Sequence, residues 1–200
     1  MINDRLPGHG DYLTPEQCLP AELPDAAWEL CLTIGDLWAY RSDEPRVKSA
    51  RSLISQLSEV VSRGGNMLLN IGPDADGGVR NWQRERLAAI GDWLAVHGRA
   101  VLNAGPAPKI RHYGPVTADE STIYLHLVHL PVEELVVRGV PVDRVRSVRV
   151  MVTGEPLAYR TGGDAYELAD VERLGDLTIA APGPSAWPSD GGRSVSTCSP

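Results

Sequence analysis

Basic residues are too few for nucleic acid to be a partner: 19 Lys and Arg stand against 26 Asp and Glu, a formal net charge of -7 at pH 7. Nucleic-acid affinity rests on clustered cations, and none are clustered here. Long apolar runs are also missing. None approaches the roughly 20 residues that cross a bilayer, which excludes a membrane-spanning helix. Cysteine is scarce: Cys18, Cys31 and Cys198 are odd in number and widely spaced, so they form neither a disulfide framework nor a zinc pattern. No Gly-x-Ser-x-Gly elbow and no Cys/His pairing marks a nucleophile. There is no internal repeat and no basic-then-apolar leader at Met1. Phenylalanine is absent although tryptophan numbers five, a bias that nothing in the pattern explains.

What the sequence does contain is organised around Ser62–Gly77. Met67 to Ile71 is an apolar run interrupted only by Asn70, which reads as a strand buried on both faces. Gly64 and Gly65 precede it, and Gly72-Pro73 stops it. Asp74 and Asp76 then follow at the strand's C-terminal end, where α/β folds place their chemistry. Upstream, Ala50, Leu53, Ile54, Leu57, Val60 and Val61 recur at helical spacing, with Ser49 as N-cap. Downstream, Leu87, Ile90, Trp93 and Leu94 form a second stripe that should end near Gly98. Helix, strand, loop, helix is the repeating unit of an α/β architecture.

At the N-terminus, Met1-Ile2 read as the end of a strand and Asn3-Asp4-Arg5 as the loop beyond it. Thr14-Pro15-Glu16 resembles a helix start, with Thr as cap and Pro at the first position. Trp28 to Ile34 is a further buried strand, followed by an aromatic loop, Gly35 to Tyr40. Three such units cannot close an eight-stranded barrel, so the first half is a fragment. Asn103 to Pro108 reads as a linker. Beyond it come short strands at Ser121–Leu130, Glu134–Arg138, Val145–Thr153, Pro156–Thr161 and Asp176–Ala180, the pattern of an antiparallel sandwich. The division is thus 1–103, 109–180, and a Pro/Gly/Ser-rich tail, 181–200, expected to be disordered.

Several motifs carry a resemblance: Asn3-Asp4-Arg5, Thr14-Pro15-Glu16-Gln17, Trp28-Glu29-x-Cys31-x-Thr33-Ile34, Trp38-x-Tyr40, and above all Gly64-Gly65-Asn66-x-Leu68-Leu69-Asn70-Ile71-Gly72-Pro73-x-x-Asp76-Gly77. Glu85-Arg86-Leu87, Gly91-x-Trp93-Leu94 and Gly98-x-Ala100-Val101 extend it. The sequence resembles the C-terminal part of an α-L-fucosidase of glycoside hydrolase family 29, closely over residues 2 to 105 and loosely over 115 to 180. The resemblance implies the closing portion of a (β/α)8-type barrel followed by a small antiparallel β-sandwich. It also implies retaining hydrolysis of fucosylated glycans with no metal or organic cofactor, in a family whose members are often secreted, periplasmic or lysosomal.

The resemblance also sorts the candidate residues. Glu16 falls where many members place the acid/base; by itself it is an acid in a helix's first turn, favoured by the dipole. Arg5 corresponds to a sugar-contacting arginine, against a plain loop cation. Trp38 matches a residue lining the fucose pocket, against simple packing of its loop. Asp74 and Asp76 look catalytic by position, but turn and capping roles outweigh that. Trp28 and Glu29 serve a barrel core and its rim. His126 and His129 stand on opposite faces of a strand and so share no metal.

Two departures stand out. Leu6 replaces the usual Trp after Asn-Asp-Arg, and the tail replaces the last sandwich strand. The family's nucleophilic Asp lies on an earlier strand with no counterpart after Met1. The isolated chain is therefore expected to be inactive, with a non-catalytic remnant or a carbohydrate-binding module as the alternative.

Overall fold

The computed structural model describes residues 1–43, 46–162, 174–181 and 194–198. The chain divides into two compact units, Met1–Ala95 and Val96–Pro200.

The first unit is parallel. Strands β1 (Glu29–Thr33) and β2 (Asn66–Asn70) pair in parallel, Glu29 opposite Asn66 and Thr33 opposite Asn70. Helix α1 (Ala50–Ser62) connects them, as a parallel pair requires. Ser49 caps it: its hydroxyl accepts from Ser52 N at 3.1 Å. Leu53 and Val60 are wholly buried, each stabilising by about 1.5–3 kcal/mol relative to exposure. α1 ends at Arg63, and Gly64 turns the chain with φ +80°. Gly65 is required by its neighbour, since a Cβ there would lie 2.5 Å from the Trp28 ring. Helix α2 (Asn81–His97) follows β2 and ends just before Gly98, where the sequence predicts a helix end, but Gly98 is right-handed at φ -55° and not a left-handed cap. Leu32, Ile34, Leu53 and Ile90 form one core cluster, with Met67, Leu69, Ile71, Trp82 and Leu94 against it.

Two expectations fail in this unit. β2 is not buried on both faces: Asn66 and Leu68 are exposed, and β1 is its sole partner among the described residues. Met67, Leu69 and Ile71 of the run pack against the core, while the alternate positions Asn66 and Leu68 stay open. Nor does Thr14-Pro15-Glu16 open a helix. It is an extended segment beside β1, with parallel bridges Leu13–Trp28 and Glu16–Cys31 and Cys31 N donating to Pro15 O at 2.9 Å. The φ that proline fixes suits extended backbone as well as a helix start, and pairing with β1 decided between them. Asn3 bridges Tyr12 in the same parallel sense. The segments ending near residues 3, 16, 33 and 70 therefore form one parallel row.

The second unit is antiparallel. After the short helix α3 (Arg99–Leu102) come β3 (Gly105–Pro106), β4 (Val116–Ala118), β5 (Thr122–His126), β6 (Glu134–Pro141), β7 (Ser147–Val150), β8 (Tyr159–Gly162), β9 (Leu174–Ala180) and β10 (Ser194–Cys198). One sheet runs β3-β4-β5-β10-β7, the other β6-β9-β8. Ile123, Leu125, Val148 and Val150 from the first share a core with Leu135, Val137, Leu177 and Ile179 from the second.

β10 lies in the tail expected to be disordered, yet it pairs with β5 on one side and β7 on the other. Ser-Val-Ser-Thr-Cys has the alternation and the β-branched content of a strand, and ladder pairing needs only backbone. The remaining tail residues, 182–193 and 199–200, lie outside the described residues. The stretch Asn103 to Pro108, expected to be a linker, is itself partly structured: Gly105–Pro106 within it pairs with β4.

Candidate functional site

The row of parallel segments places the N-terminal candidates together. Arg5 follows the segment ending at Asn3, and Glu16 ends the next one. Arg5 donates to Glu16 Oε1 through Nη2, and through Nε and Nη2 to Thr14 Oγ1 and Thr14 O, each at 3.0 Å. The Thr14 hydroxyl in turn donates to Asp4 Oδ1. Thr14 is thus the hinge of the cluster, buried beneath two half-exposed charges. The bond from Thr14, joined by the neighbouring Arg5 charge, holds the Asp4 carboxyl below the usual range.

Sequence reading singled out Arg5 and Glu16 but not that Thr14 and Asp4 would join them. The hidden signal was Thr14 beside Pro15, read as a helix cap when its oxygen was used across a loop instead.

Cys31 sits opposite Glu16 in the pairing. Burial and the nearby Glu29 push its thiol up, away from a reactive thiolate. Trp38 lies beyond the C-terminal end of β1 and is 40% exposed. Its backbone carbonyl accepts from Asn70 Nδ2 at 2.8 Å.

Asp74 is a turn residue. Its Oδ1 accepts from Asp76 N at 3.1 Å and Gly78 N at 2.6 Å, closing the loop around Gly77. Asp76 contributes its backbone to that turn. Among the described residues, no group of three or more His, Cys, Asp or Glu is placed to hold a metal ion, and no helix is long and apolar enough to cross a membrane.

Comparisons with known proteins point one way. The family model for Alpha-L-fucosidase matches residues 1–99. Tissue alpha-L-fucosidase of Homo sapiens is 42% identical over 102 residues, which are 49% of this chain and 22% of that protein. Alpha-L-fucosidase isoenzyme 1 from Paenibacillus thiaminolyticus shares the fold with TM-score 0.80 at 24% identity, over 96% of this chain and 45% of that one. Thermotoga maritima alpha-fucosidase, solved in complex with fucose, matches with TM-score 0.74 and 27% identity over 95% of this chain and 43% of that one. This chain spans less than half the length of each of these relatives.

Proposed function

Because residues 1–99 belong to the α-L-fucosidase family, we propose that this chain supplies the acid/base side of a retaining fucosidase site. In this reading the parallel row is the closing part of a (β/α) barrel, and the paired antiparallel sheets of the second unit are a β-sandwich. The observation that carries it is the direct pairing of Arg5 with Glu16 at the C-terminal ends of neighbouring parallel segments. That end of a parallel barrel is where active sites form.

Glu16 is the general acid that protonates the departing oxygen and then the base that activates water. Oε1 accepts from Arg5, which leaves Oε2 as the oxygen that carries and delivers the proton. Trp38 presents apolar surface to the sugar. Retention also needs a nucleophilic carboxylate roughly 5–5.5 Å from the acid. The resemblance assigns that role to no residue of this chain, so the chain alone binds fucose without hydrolysing it.

Two measurements on the purified chain test this. It should leave an aryl α-L-fucoside intact while saturation-transfer NMR detects bound L-fucose, and the double substitution Arg5→Ala, Glu16→Ala should abolish that transfer. Turnover above buffer would mean that another carboxylate, such as Asp76, serves as nucleophile. Absence of saturation transfer would remove the sugar-binding reading.

A further inference from the structure

Asn70 is the only polar residue in the run from Met67 to Ile71, and the structure gives it a task outside its own strand. Its Nδ2 donates to the backbone oxygen of Trp38 at 2.8 Å. Two residues later, the loop after β1 lies flat against Gly72, where a Cβ would come within 2.9 Å of Ala39 C and Tyr40 N. Only glycine permits that approach. Further on, the Arg80 guanidinium stacks over the Tyr40 ring at 4.7 Å. It also donates to Tyr40 OH at 2.9 Å and, through Nη1 and Nη2, to Ser42 O at 3.2 Å. A planar guanidinium can stack and bond in this way where a lysine ammonium cannot.

The loop bearing Trp38 is therefore held at Trp38, at Ala39–Tyr40 and at Ser42 by residues of one rigid frame, β2 and the turn into α2. The backbone is restrained while Trp38 stays 40% exposed. A ring that packs only its own loop needs no such bracing. A ring that receives a ligand benefits from it, because ordering a loop during binding is subtracted from affinity.

We propose that Asn70, Gly72 and Arg80 are positioning residues that fix Trp38 as a preformed platform for the apolar face of a fucosyl ring, a role that rests on the reading of Trp38 given above. Its physical content is preorganisation, and its substrate class is a deoxy sugar with one face free of hydroxyl contacts.

The chain carrying 5-fluorotryptophan offers a direct test by fluorine NMR, one resonance for each of its five tryptophans, with Trp38 identified through Trp38→Phe. L-Fucose should shift the Trp38 resonance. Asn70→Ala, Asn70→Asp and Arg80→Ala should each broaden it, leave the other tryptophan resonances in place, and weaken L-fucose binding about tenfold. Arg80→Lys, which keeps the charge and loses the fork and the stack, should fall with Arg80→Ala. Where Asn70→Ala disturbs the other resonances as well, Arg80→Lys decides, because it leaves the strand untouched.

Affinities within about twofold of the parent in the Arg80 variants would overturn the proposal, as would an unmoved Trp38 resonance. Trp38→Ala separates the two levels. If it leaves L-fucose affinity unchanged, the reading of Trp38 itself falls. If it abolishes binding while the Asn70 and Arg80 variants bind normally, only the bracing role falls.

Discussion

The two units solve opposite problems. In Met1–Ala95, parallel segments end in polar loops, and β2 leaves Asn66 and Leu68 open to solvent. In Val96–Pro200, β5 is buried along its whole length, Thr122 and His126 included. The Arg5–Glu16 pair of the first unit is half-exposed, where a ligand can compete for it; Thr117, Thr122 and His126 of the second are enclosed. Thr117 donates to Ala100 O at 2.6 Å and meets His126 Nε2 at 2.9 Å, which makes Nε2 the protonated nitrogen. The difference teaches where to look for chemistry. Buried hydrogen-bonded groups such as Thr117 help hold a fold together, whereas exposed ion pairs contribute little stability.

The largest effect should come from Glu16. In a fucosidase that contains this chain together with its nucleophile, Glu16→Ala should slow hydrolysis of substrates with poor leaving groups by ~10²–10⁴-fold, the scale of general acid catalysis. Good leaving groups should suffer much less in fucosylation, and azide should restore turnover. Equal losses for both substrate types with no azide rescue would reduce Glu16 to a partner of Arg5.

The next contrast is in packing. Leu53→Ala in the first unit and Leu177→Ala in the second, both wholly buried, should each cost about 2–5 kcal/mol in urea unfolding. Leu68→Ala, on the open side of β2, should stay within about 0.5 kcal/mol. A large loss at Leu68 would show that the exposed strand face is covered in solution.

Acid should separate the units further. Burial holds His126 down to about 3, with His112 and His97 as charge neighbours that oppose its protonation, and burial lowers His112 as well. A histidine depressed in the folded state binds fewer protons than in the unfolded chain, so its stability is complete above about pH 6.5. It is then lost as pH falls toward 3, by about 1.4 kcal/mol per pH unit. Asp119, held at about 2 against the burial that opposes it by bonds from Ser121, Tyr124 and Arg99, adds its own loss only below about pH 3.8. Monitoring unfolding midpoints from pH 7 to 4.5, His126→Gln should flatten the slope. An unchanged slope would assign it elsewhere.

The smallest effect is expected at Asp74. Asp74→Ala removes the acceptor of Asp76 N and Gly78 N and should lower stability by about 1 kcal/mol. L-Fucose binding should be unaffected. Loss of sugar affinity in this variant would restore the catalytic reading of the Asp74-Asp76 turn.

Much was legible in the sequence because it is local. Ser49 as a cap, the α1 stripe, the end of α2 before Gly98 and the short strands of the second unit all follow from propensity and periodicity within a dozen residues. The pairing of Arg5 with Glu16 was not, because the positions are joined through Thr14 and depend on which strand lies beside which. For the same reason Thr14-Pro15-Glu16 misled: the tripeptide is compatible with a helix start or an extended edge, and only Cys31 and Leu13 pairing across β1 chose. The tail misled in the opposite sense: Ser194–Cys198 alternates like a strand but is short and set among Pro, Gly and Ser, and its strand pairs with β5 and β7. Sequence alone determined the helices, whose hydrogen bonds close within themselves, the extended character of the short strands, and the family motif from Gly64 to Gly77. Tertiary structure decided everything whose partners are distant in the chain: the parallel row, the exposed side of β2, and the bracing of Trp38 by Asn70 and Arg80. Long-range pairing runs through backbone groups that every residue carries alike, so the side-chain pattern marks a segment as a strand without naming the strand beside it.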